Sequence, residues 1–401
     1  MHERPVDPST NMLLSSTVNA LLVDGADGWA VHTEALVDRA ADKDVIVLSV
    51  GDPDFATPKA ITDAAIQALH DEQTHYTPAG GIKSLVEAIA ASETERLGWE
   101  VECDRVVVCS GAQNALFTAM CCIVDEGDEV ILLSPPYTMF EGVVATARGT
   151  VKLVPLQRAQ GFQVDLDLLR AAITPQTRAI LLNSPHNPSG AIASCEVLAV
   201  IAELCAKNGI WLISDEVYAD LCFDDDFVSP SSLDCMADRT IIIRSLSKSH
   251  AMAGWRVGWM VAPASIAAAS RDLLNHAIYG APGFIQQGAL TAVTGSVPEV
   301  AEMKQVYRER RDVLVQALSG VNSLDCIEPA SGIFCIVGID RLGIPAQEFA
   351  ERLYRAEGVS VLPGEAFGSA HSDWVRISLC QPIPVLHDAV TRMTRFVGTL
   401  T

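Results

Sequence analysis

Short, continuous apolar runs alternate with stretches of helical periodicity through the middle of the chain. This pattern predicts an α/β fold in which a mostly parallel sheet is covered by helices on both faces. In such sheets ligands bind beyond the carboxyl ends of the strands. The predicted strands span residues 105–108, 129–133, 150–154, 179–182, 210–214 and 240–243, and the predicted helices span residues 113–124, 140–147, 166–172 and 196–208.

The pattern changes on both sides of this region. A helix near residues 29–40 and a short strand at 45–50 precede it, and a long charged helix at 297–318 follows two shorter ones at 265–277 and 285–294. The C-terminal part reads as α+β, with strands at 332–337, 359–362 and 374–379 and helices at 346–357 and 385–397. We therefore expect a large domain at residues 49–296 and a small α+β domain built from residues 1–48 and 297–401.

Composition excludes several classes of protein. With 401 residues, 49% of them hydrophobic, the chain can bury a large core. No run of eighteen uncharged apolar residues occurs, and the N-terminus lacks a charged and then apolar signal segment. A formal charge of -22 argues against binding to nucleic acid or to an anionic membrane. These features predict a soluble cytoplasmic protein.

The eleven cysteines never form a Cys-x-x-Cys pair, and most have apolar neighbours. They predict buried thiols in a reducing compartment. The nine histidines show no metal-ligand spacing, so no metal is expected.

The strand at 240–243 leads into a loop that carries Lys248 between small residues, with Ser245 and Ser247 before it and Arg256 eight positions after it. A lysine held in this way can form a Schiff base. Serine hydroxyls and an arginine are suited to holding a phosphate, and a carbonyl cofactor that carries a phosphate is pyridoxal phosphate. The alternative is a solvated Lys248 and an Arg256 that forms a structural ion pair.

Two other strand ends carry candidate residues. The segment from Ser110 to Gln113 opens a helix, where unpaired amides can face an anion, although helix capping explains the same residues. Asp215 ends an apolar run, where an uncompensated carboxylate is costly. It is either the N-cap of a helix or the partner of a protonated ring nitrogen.

Five segments together resemble the class I/II pyridoxal-phosphate-dependent aminotransferases, the aspartate aminotransferase-like enzymes of fold type I. They are the lysine segment at 244–258, Gly-x-Pro-Asp-Phe at 51–55, Tyr-x-x-x-x-Gly at 76–81, Asn-Pro-Ser-Gly at 187–190 and Val-Arg-Ile-Ser at 375–378. The resemblance extends from about residue 45 to residue 379 in family order. It implies a homodimer with shared active sites.

The resemblance also implies a role for each matching residue. Lys248 holds the cofactor as a Schiff base and moves the substrate proton, Asp215 keeps the ring nitrogen protonated, and Asn187 and Tyr218 face the phenolic oxygen. Tyr137, otherwise a core aromatic, stacks on the ring. The substrate is bound by Gly51, Tyr137, Asn187 and Arg376, and Arg376 is otherwise a surface residue of a strand. The phosphate region consists of Ser110, Gly111, Ala112, Gln113, Ser245, Ser247, Arg256 and Tyr76 of the partner subunit.

Within this family the segments are most similar to those of arginine–pyruvate transaminases. Arginine, or another basic or neutral amino acid, is then the expected donor, and pyruvate or 2-oxoglutarate the acceptor. A guanidinium group needs a carboxylate in the pocket, and Asp24, Asp27 and Asp52 are unranked candidates. The loop at 279–282 contains no arginine that could bind a second substrate carboxylate.

Three alternatives remain open from the sequence. A carbon–sulfur β-lyase of the same fold would use the same lysine and aspartate. A ring-forming synthase acting on S-adenosylmethionine is more distant. A non-enzymatic regulator that uses the fold belongs to a different class.

Overall fold

The computed structural model describes Ser15, Thr17 and residues 26–224 and 227–400. Its strands, in chain order, are β1 Ile46–Val47, β2 Val106–Cys109, β3 Glu129–Ser134, β4 Thr150–Gln157, β5 Gln163–Val164, β6 Thr177–Asn183, β7 Trp211–Asp215, β8 Thr240–Ser245, β9 Gly258–Val261, β10 Asp325–Ile327, β11 Phe334–Gly338, β12 Val359–Ser360, β13 Leu362–Pro363 and β14 Trp374–Ser378. The helices that we discuss are α1 Ala30–Ala40, α2 Lys59–His70, α3 Lys83–Leu97, α4 Ala112–Ile123, α5 Phe140–Thr146, α6 Leu166–Ala172, α7 Cys195–Asn208, α8 Ala264–Ala277, α9 Gly283–Thr294, α10 Pro298–Ser319, α11 Ala346–Glu357 and α12 Ile383–Val397.

The main sheet has eight strands in the order β2-β9-β8-β7-β6-β3-β4-β5. The five strands from β8 to β4 are mutually parallel. Strand β2 runs in the same direction, because β9 is antiparallel both to β2 and to β8. Six carboxyl ends therefore lie at one edge of the sheet, which confirms the predicted α/β fold.

The central strands are buried on both faces, as their continuous apolar sequences predicted. All residues of β2, β8 and β9 are buried, and β7 is buried from its second residue onward. Helices α4 and α5 pack on one side of the sheet with the cluster around Met120, and α6 and α7 pack on the other side with the cluster around Ile201. This packing fixes the strand ends that carry the candidate site.

A separate four-stranded antiparallel sheet, β10-β11-β14-β13, forms near the C-terminus, and β1 pairs in parallel with β12. One apolar cluster joins Ile46 and Leu48 to α10, α11, α12 and this sheet. Residues 46–48 thus pack with the C-terminal part of the chain. The domain boundaries at 48/49 and 296/297 stay a prediction.

The apolar run at residues 255–262 predicts a second strand after the Lys248 loop, but the strand begins later than residue 255. Trp255 ends a 3₁₀ turn, Arg256 has a left-handed backbone with φ 54°, and β9 starts only at Gly258. A residue in the left-handed region cannot continue a strand. The guanidinium of Arg256 instead lies next to the main-chain oxygen of Ser110, directly after β2. The apolar pattern at 255–262 concealed this turn.

The prediction of buried thiols holds for only some of the cysteines. Five are buried, three are partly buried, and Cys103, Cys195 and Cys235 are exposed. Cys103 and Cys195 begin helical segments and Cys235 lies in a turn with φ 65°, so all three are at element ends on the surface. In the described part of the chain, no helix is long and apolar enough to cross a membrane.

Candidate active site

A cavity of about 160 Å³ lies at the carboxyl edge of the main sheet. Residues from the ends of β6, β7 and β8 line it, together with the start of α4 and the loop that follows β3. Its position is the one that the strand order predicts for a ligand site. The lining residues are Ala112, Gln113, Leu116, Tyr137, Asn183, Asn187, Asp215, Val217, Tyr218, Ser245, Ser247, Lys248, Ala253 and Arg256.

Lys248 reaches the cavity from the loop after β8. Its Nζ donates a hydrogen bond of 2.7 Å to the main-chain oxygen of Gly51. Burial lowers the pKa of the lysine below its usual value, because desolvation disfavours the ammonium form. Lys248 is half-buried and bonded to the main chain in the cavity wall, so it is not a freely solvated side chain. A larger fraction of neutral amine is available for nucleophilic chemistry.

Asp215 ends β7 beside Asn183 of the neighbouring strand. Its Oδ1 accepts a hydrogen bond of 3.2 Å from the amide of Val217, and no cationic side chain among the described residues forms an ion pair with it. The 3₁₀ turn that follows has Tyr218 at its N-cap position, so Asp215 is not a helix N-cap. Burial raises the pKa of Asp215 to about 7. The carboxylate lacks a charged partner on the cavity side.

One end of the cavity is suited to an anion. The hydroxyl oxygens of Ser245 and Ser247 lie 2.7 Å apart, and Arg256 donates to the main-chain oxygens of Ala253 at 2.9 Å and Ser110 at 3.5 Å. No carboxylate of the described residues pairs with Arg256, so the alternative of a structural ion pair is wrong.

The start of α4 closes this end. Gly111 has φ 87°, and a Cβ atom there would lie 2.7 Å from a guanidinium nitrogen of Arg256. Only glycine tolerates both the left-handed backbone and this close approach. Gly111 provides no side-chain cap for the helix, so the first amides of α4 remain available to a bound anion.

Arg376 lies in β14 and is only 3% exposed, so the surface alternative is wrong. It donates to Asn187 Oδ1 and to the main-chain oxygen of Ser49, both at 2.9 Å. Its guanidinium carbon lies 3.8 Å from the ring centre of Phe334. Its Nε has no hydrogen-bond partner, and burial lowers its pKa to about 10. No described carboxylate neutralises this buried cation.

Two tyrosines complete the wall. Tyr137 follows β3, is half-buried, and packs edge to face on Phe140 at 5.3 Å. Tyr218 is buried, with its ring 6.3 Å from that of Phe334. Burial raises the pKa of both phenols, so both stay protonated and can donate hydrogen bonds at neutral pH.

Ten of the predicted cofactor residues line this one cavity. The other predicted residues contact side chains that line the cavity. Ser110 and Gly111 contact Arg256, Gly51 is hydrogen-bonded to Lys248, and Arg376 is hydrogen-bonded to Asn187. The exception is Tyr76, which is 91% exposed and packs against Tyr279 at 5.3 Å instead of lining the cavity of its own subunit.

The three candidate carboxylates for a guanidinium group differ in position. Asp24 lies outside the described residues. Asp27 lies in a 3₁₀ turn before α1. Asp52 is exposed in the loop after β1, and its charge acts on the Lys248 amine. Asp52 is therefore the candidate whose interaction with the cavity is described.

Four lining residues were not predicted from the sequence, namely Leu116, Asn183, Val217 and Ala253. Asn183 has the clearest function, because its Oδ1 accepts the amide of Asn187 at 2.8 Å and so shapes the turn. A polar residue that ends an apolar strand next to a motif was the available signal. Leu116 and Val217 gave none, because apolar residues line cavities and cores alike.

The comparisons agree with this geometry. A sequence profile of the family described as "Aminotransferase class I and II" matches residues 43–392. The chain belongs to the class I and II aminotransferases and is an aminotransferase.

Relatives can be compared over almost the whole chain. An arginine–pyruvate transaminase of Pseudomonas aeruginosa is 43% identical over 382 residues, which cover 95% of this chain and 97% of that protein. An aspartate aminotransferase of Geobacillus stearothermophilus is 34% identical, covering 92% and 95%. The structure of Thermus thermophilus aspartate aminotransferase with maleate superimposes with a TM-score of 0.91 at 32% identity, covering 96% of this chain and all of that one.

Proposed function

We propose that this aminotransferase uses pyridoxal phosphate to move the α-amino group of an L-amino acid, with arginine favoured, to a 2-oxo acid such as pyruvate or 2-oxoglutarate. One observation carries the proposal. The half-buried Lys248 and the buried Asp215 and Arg376 surround one site without ion-pair partners among the described residues. Charged groups that are removed from water without a partner destabilise the folded state unless a bound ligand supplies the opposite charge.

The residues present fit the cofactor. A phosphate would be held by the hydroxyls of Ser245 and Ser247, the guanidinium of Arg256 and the first amides of α4, all at one end of the cavity. Asp215 would pair with a protonated ring nitrogen, which explains its missing partner. When bound, pyridoxal phosphate supplies a carbonyl that reacts with amines and a ring that accepts an electron pair.

The protein's own groups would handle orientation and protons. Arg376 would bind the α-carboxylate of the substrate in a forked geometry, next to the main-chain oxygen of Ser49 that already fixes one of its nitrogens. Lys248 would carry the proton to and from the substrate α-carbon, and its lowered pKa favours the free base. Tyr218 and Asn187 would donate hydrogen bonds to the phenolic oxygen.

Two observations support a basic donor. The protein that shares 43% identity with this chain is named for arginine and pyruvate. The 279–282 loop has no arginine, and Asp52 places a negative charge near Lys248. Aspartate is the second candidate, because several relatives at 32–34% identity are named aspartate aminotransferases.

A homodimer with shared sites is part of the proposal. Tyr76 and Tyr279 are 91% and 58% exposed, side by side, although aromatic residues of this size favour burial. A second copy that covers this pair would bring the partner's Tyr76 to the phosphate end of the site. The cytoplasmic location and the two-domain organisation are proposed with it.

Donor profiling tests the function. Specificity constants for arginine, lysine, alanine, glutamine and aspartate are measured with pyruvate and then with 2-oxoglutarate as acceptor. We expect arginine to exceed aspartate by at least about tenfold, since placing like charges together costs several kcal/mol. In Asp52→Asn, arginine should lose its advantage over alanine, while alanine, the internal control, should change little.

Different outcomes contradict different parts of the proposal. A higher constant for aspartate than for arginine would disprove the donor assignment and leave the cofactor assignment intact. Release of pyruvate from cystathionine without any added 2-oxo acid would instead favour a carbon–sulfur lyase.

A further inference from the structure

Arg310 of α10 is buried and forms a network that the proposed mechanism leaves unexplained. Its two terminal nitrogens bond both carboxylate oxygens of Asp54, NH1 to Oδ1 at 2.7 Å and NH2 to Oδ2 at 2.8 Å. NH1 also donates to the main-chain oxygen of Leu379 at 3.0 Å. The side chain is 6% exposed and its guanidinium carbon lies 5.0 Å from the ring centre of Phe55. One guanidinium thus joins two separate segments of the chain.

Both segments carry residues that the family resemblance assigns to substrate binding, namely Gly51 and Arg376. Asp54 is three residues after Gly51, whose main-chain oxygen accepts a hydrogen bond from the Lys248 amine. Leu379 is three residues after Arg376. The segments are also joined by the Ser378 amide, which donates to the main-chain oxygen of Leu48 at 2.8 Å. Gly51 therefore lies between two points, Leu48 and Asp54, that are both fixed to the segment just after Arg376.

We propose that Arg310 is a positioning residue for the substrate, because it holds the 51–55 loop against the segment after β14 and so sets the distance between Gly51 and Arg376. The inference rests on the proposed function. A bidentate guanidinium–carboxylate pair fixes the orientation of both groups, which an ammonium group cannot do. Displacement of a binding group by about 1 Å can cost about a hundredfold in rate.

Another anchor limits the effect of losing this pair. The hydroxyl of Thr57 donates to the main-chain oxygen of Ala251 at 2.7 Å, so the far side of the loop stays attached to the Lys248 loop. Neither Arg310 nor Asp54 lines the cofactor cavity. Substrate binding should therefore suffer while cofactor binding does not.

The chain offers a matched control at the next position. Arg311 is also buried, pairs with Asp224 at 2.6 Å, donates to the main-chain oxygen of Pro329 at 3.2 Å and lies 5.0 Å from the ring centre of Phe223. It has the same kinds of partner as Arg310, but they do not belong to the candidate site.

The experiment compares Arg310→Lys, Asp54→Asn, the double variant and Arg311→Lys, all loaded with pyridoxal phosphate. For the best donor of the wild type, kcat/KM should fall by about tenfold to a hundredfold in Arg310→Lys. The fall should be mostly in KM. It should stay within about threefold in Arg311→Lys at a similar loss of thermal stability. The double variant should be no worse than Arg310→Lys alone, since both changes remove one interaction.

Two binding measurements separate positioning from general damage. The Kd of a 2-methyl amino acid, which lacks the α-hydrogen and cannot react, should rise in parallel with KM, and the Kd of pyridoxal phosphate should change less than about twofold. Equal losses in Arg310→Lys and Arg311→Lys, or equal weakening of cofactor and substrate analogue, would overturn the inference. If Arg310→Lys does not fold, unchanged analogue binding in Asp54→Asn overturns it alone. An inactive wild type would contradict the proposed function, whereas a defect confined to the Arg310 variants bears only on this inference.

Discussion

Asp215 allows a quantitative test of the site without any turnover. In the cofactor-free protein its pKa is raised to about 7 by burial, compared with about 3.9 in an unfolded chain. The folded state therefore holds this proton more tightly than the unfolded state does. Between about pH 4 and pH 7 the group lowers the free energy of unfolding as pH rises, and above pH 7 the full penalty remains.

The magnitude follows from the two pKa values. At about 1.4 kcal/mol for each pH unit, ionisation of Asp215 destabilises the fold by about 1 to 2 kcal/mol at pH 5 and about 4 kcal/mol at pH 8. Asp215→Asn removes the ionisation and keeps the shape. The variant should therefore gain about 2 to 3 kcal/mol relative to the wild type between these pH values.

Urea unfolding of both cofactor-free proteins at equal concentration, at pH 5 and at pH 8, measures this difference. Asp220→Asn is the control, because Asp220 pairs with Arg96 at 2.6 Å, and this partner lowers its pKa against the opposing effect of burial. That variant should be destabilised by a similar amount at both pH values. Loading with pyridoxal phosphate should stabilise the wild type more than Asp215→Asn. A stability difference between wild type and Asp215→Asn that does not change with pH would refute the reasoning.

Two further predictions concern the lysine and the subunit contact. Borohydride reduction of the loaded protein should attach the cofactor to the peptide that contains Lys248, and Lys248→Ala should lose both the visible absorbance and the transamination activity; a labelled peptide with another lysine would disprove the assignment. Mixing inactive Lys248→Ala and Tyr76→Ala proteins under conditions of subunit exchange should restore activity, because each heterodimer contains one intact site. Verified heterodimers without activity would show that Tyr76 acts in its own subunit.

The sequence predicted the central strands of the main sheet to within about three residues at either end because these strands are buried on both faces. A continuous apolar run such as Ile241–Ile243 has no other stable location in a soluble protein. The short strands β5 and β10 were missed, since two or three partly exposed residues carry no periodic signal.

The residues of the candidate site were predicted less completely than the strands. Residues in compact motifs, such as Lys248 and Asn187, were predicted because a few neighbouring residues in the sequence define each motif. The function of Arg310 depends on Asp54 and Leu379, which lie 256 and 69 positions away, and no local pattern records such a contact. The left-handed backbone of Arg256 was invisible for a related reason, because the side chain of Arg256 lies against Gly111, which is distant in the sequence.

The contact between Lys248 and Gly51 also has a consequence for the order of events during synthesis. It spans 197 positions, and the bond between Arg376 and Asn187 spans 189. A growing chain thus exposes Gly51, Asn187 and Lys248 to water long before Arg376 exists. The substrate-binding half of the site can therefore assemble only after Arg376 has been made, later than the residues expected to hold the cofactor.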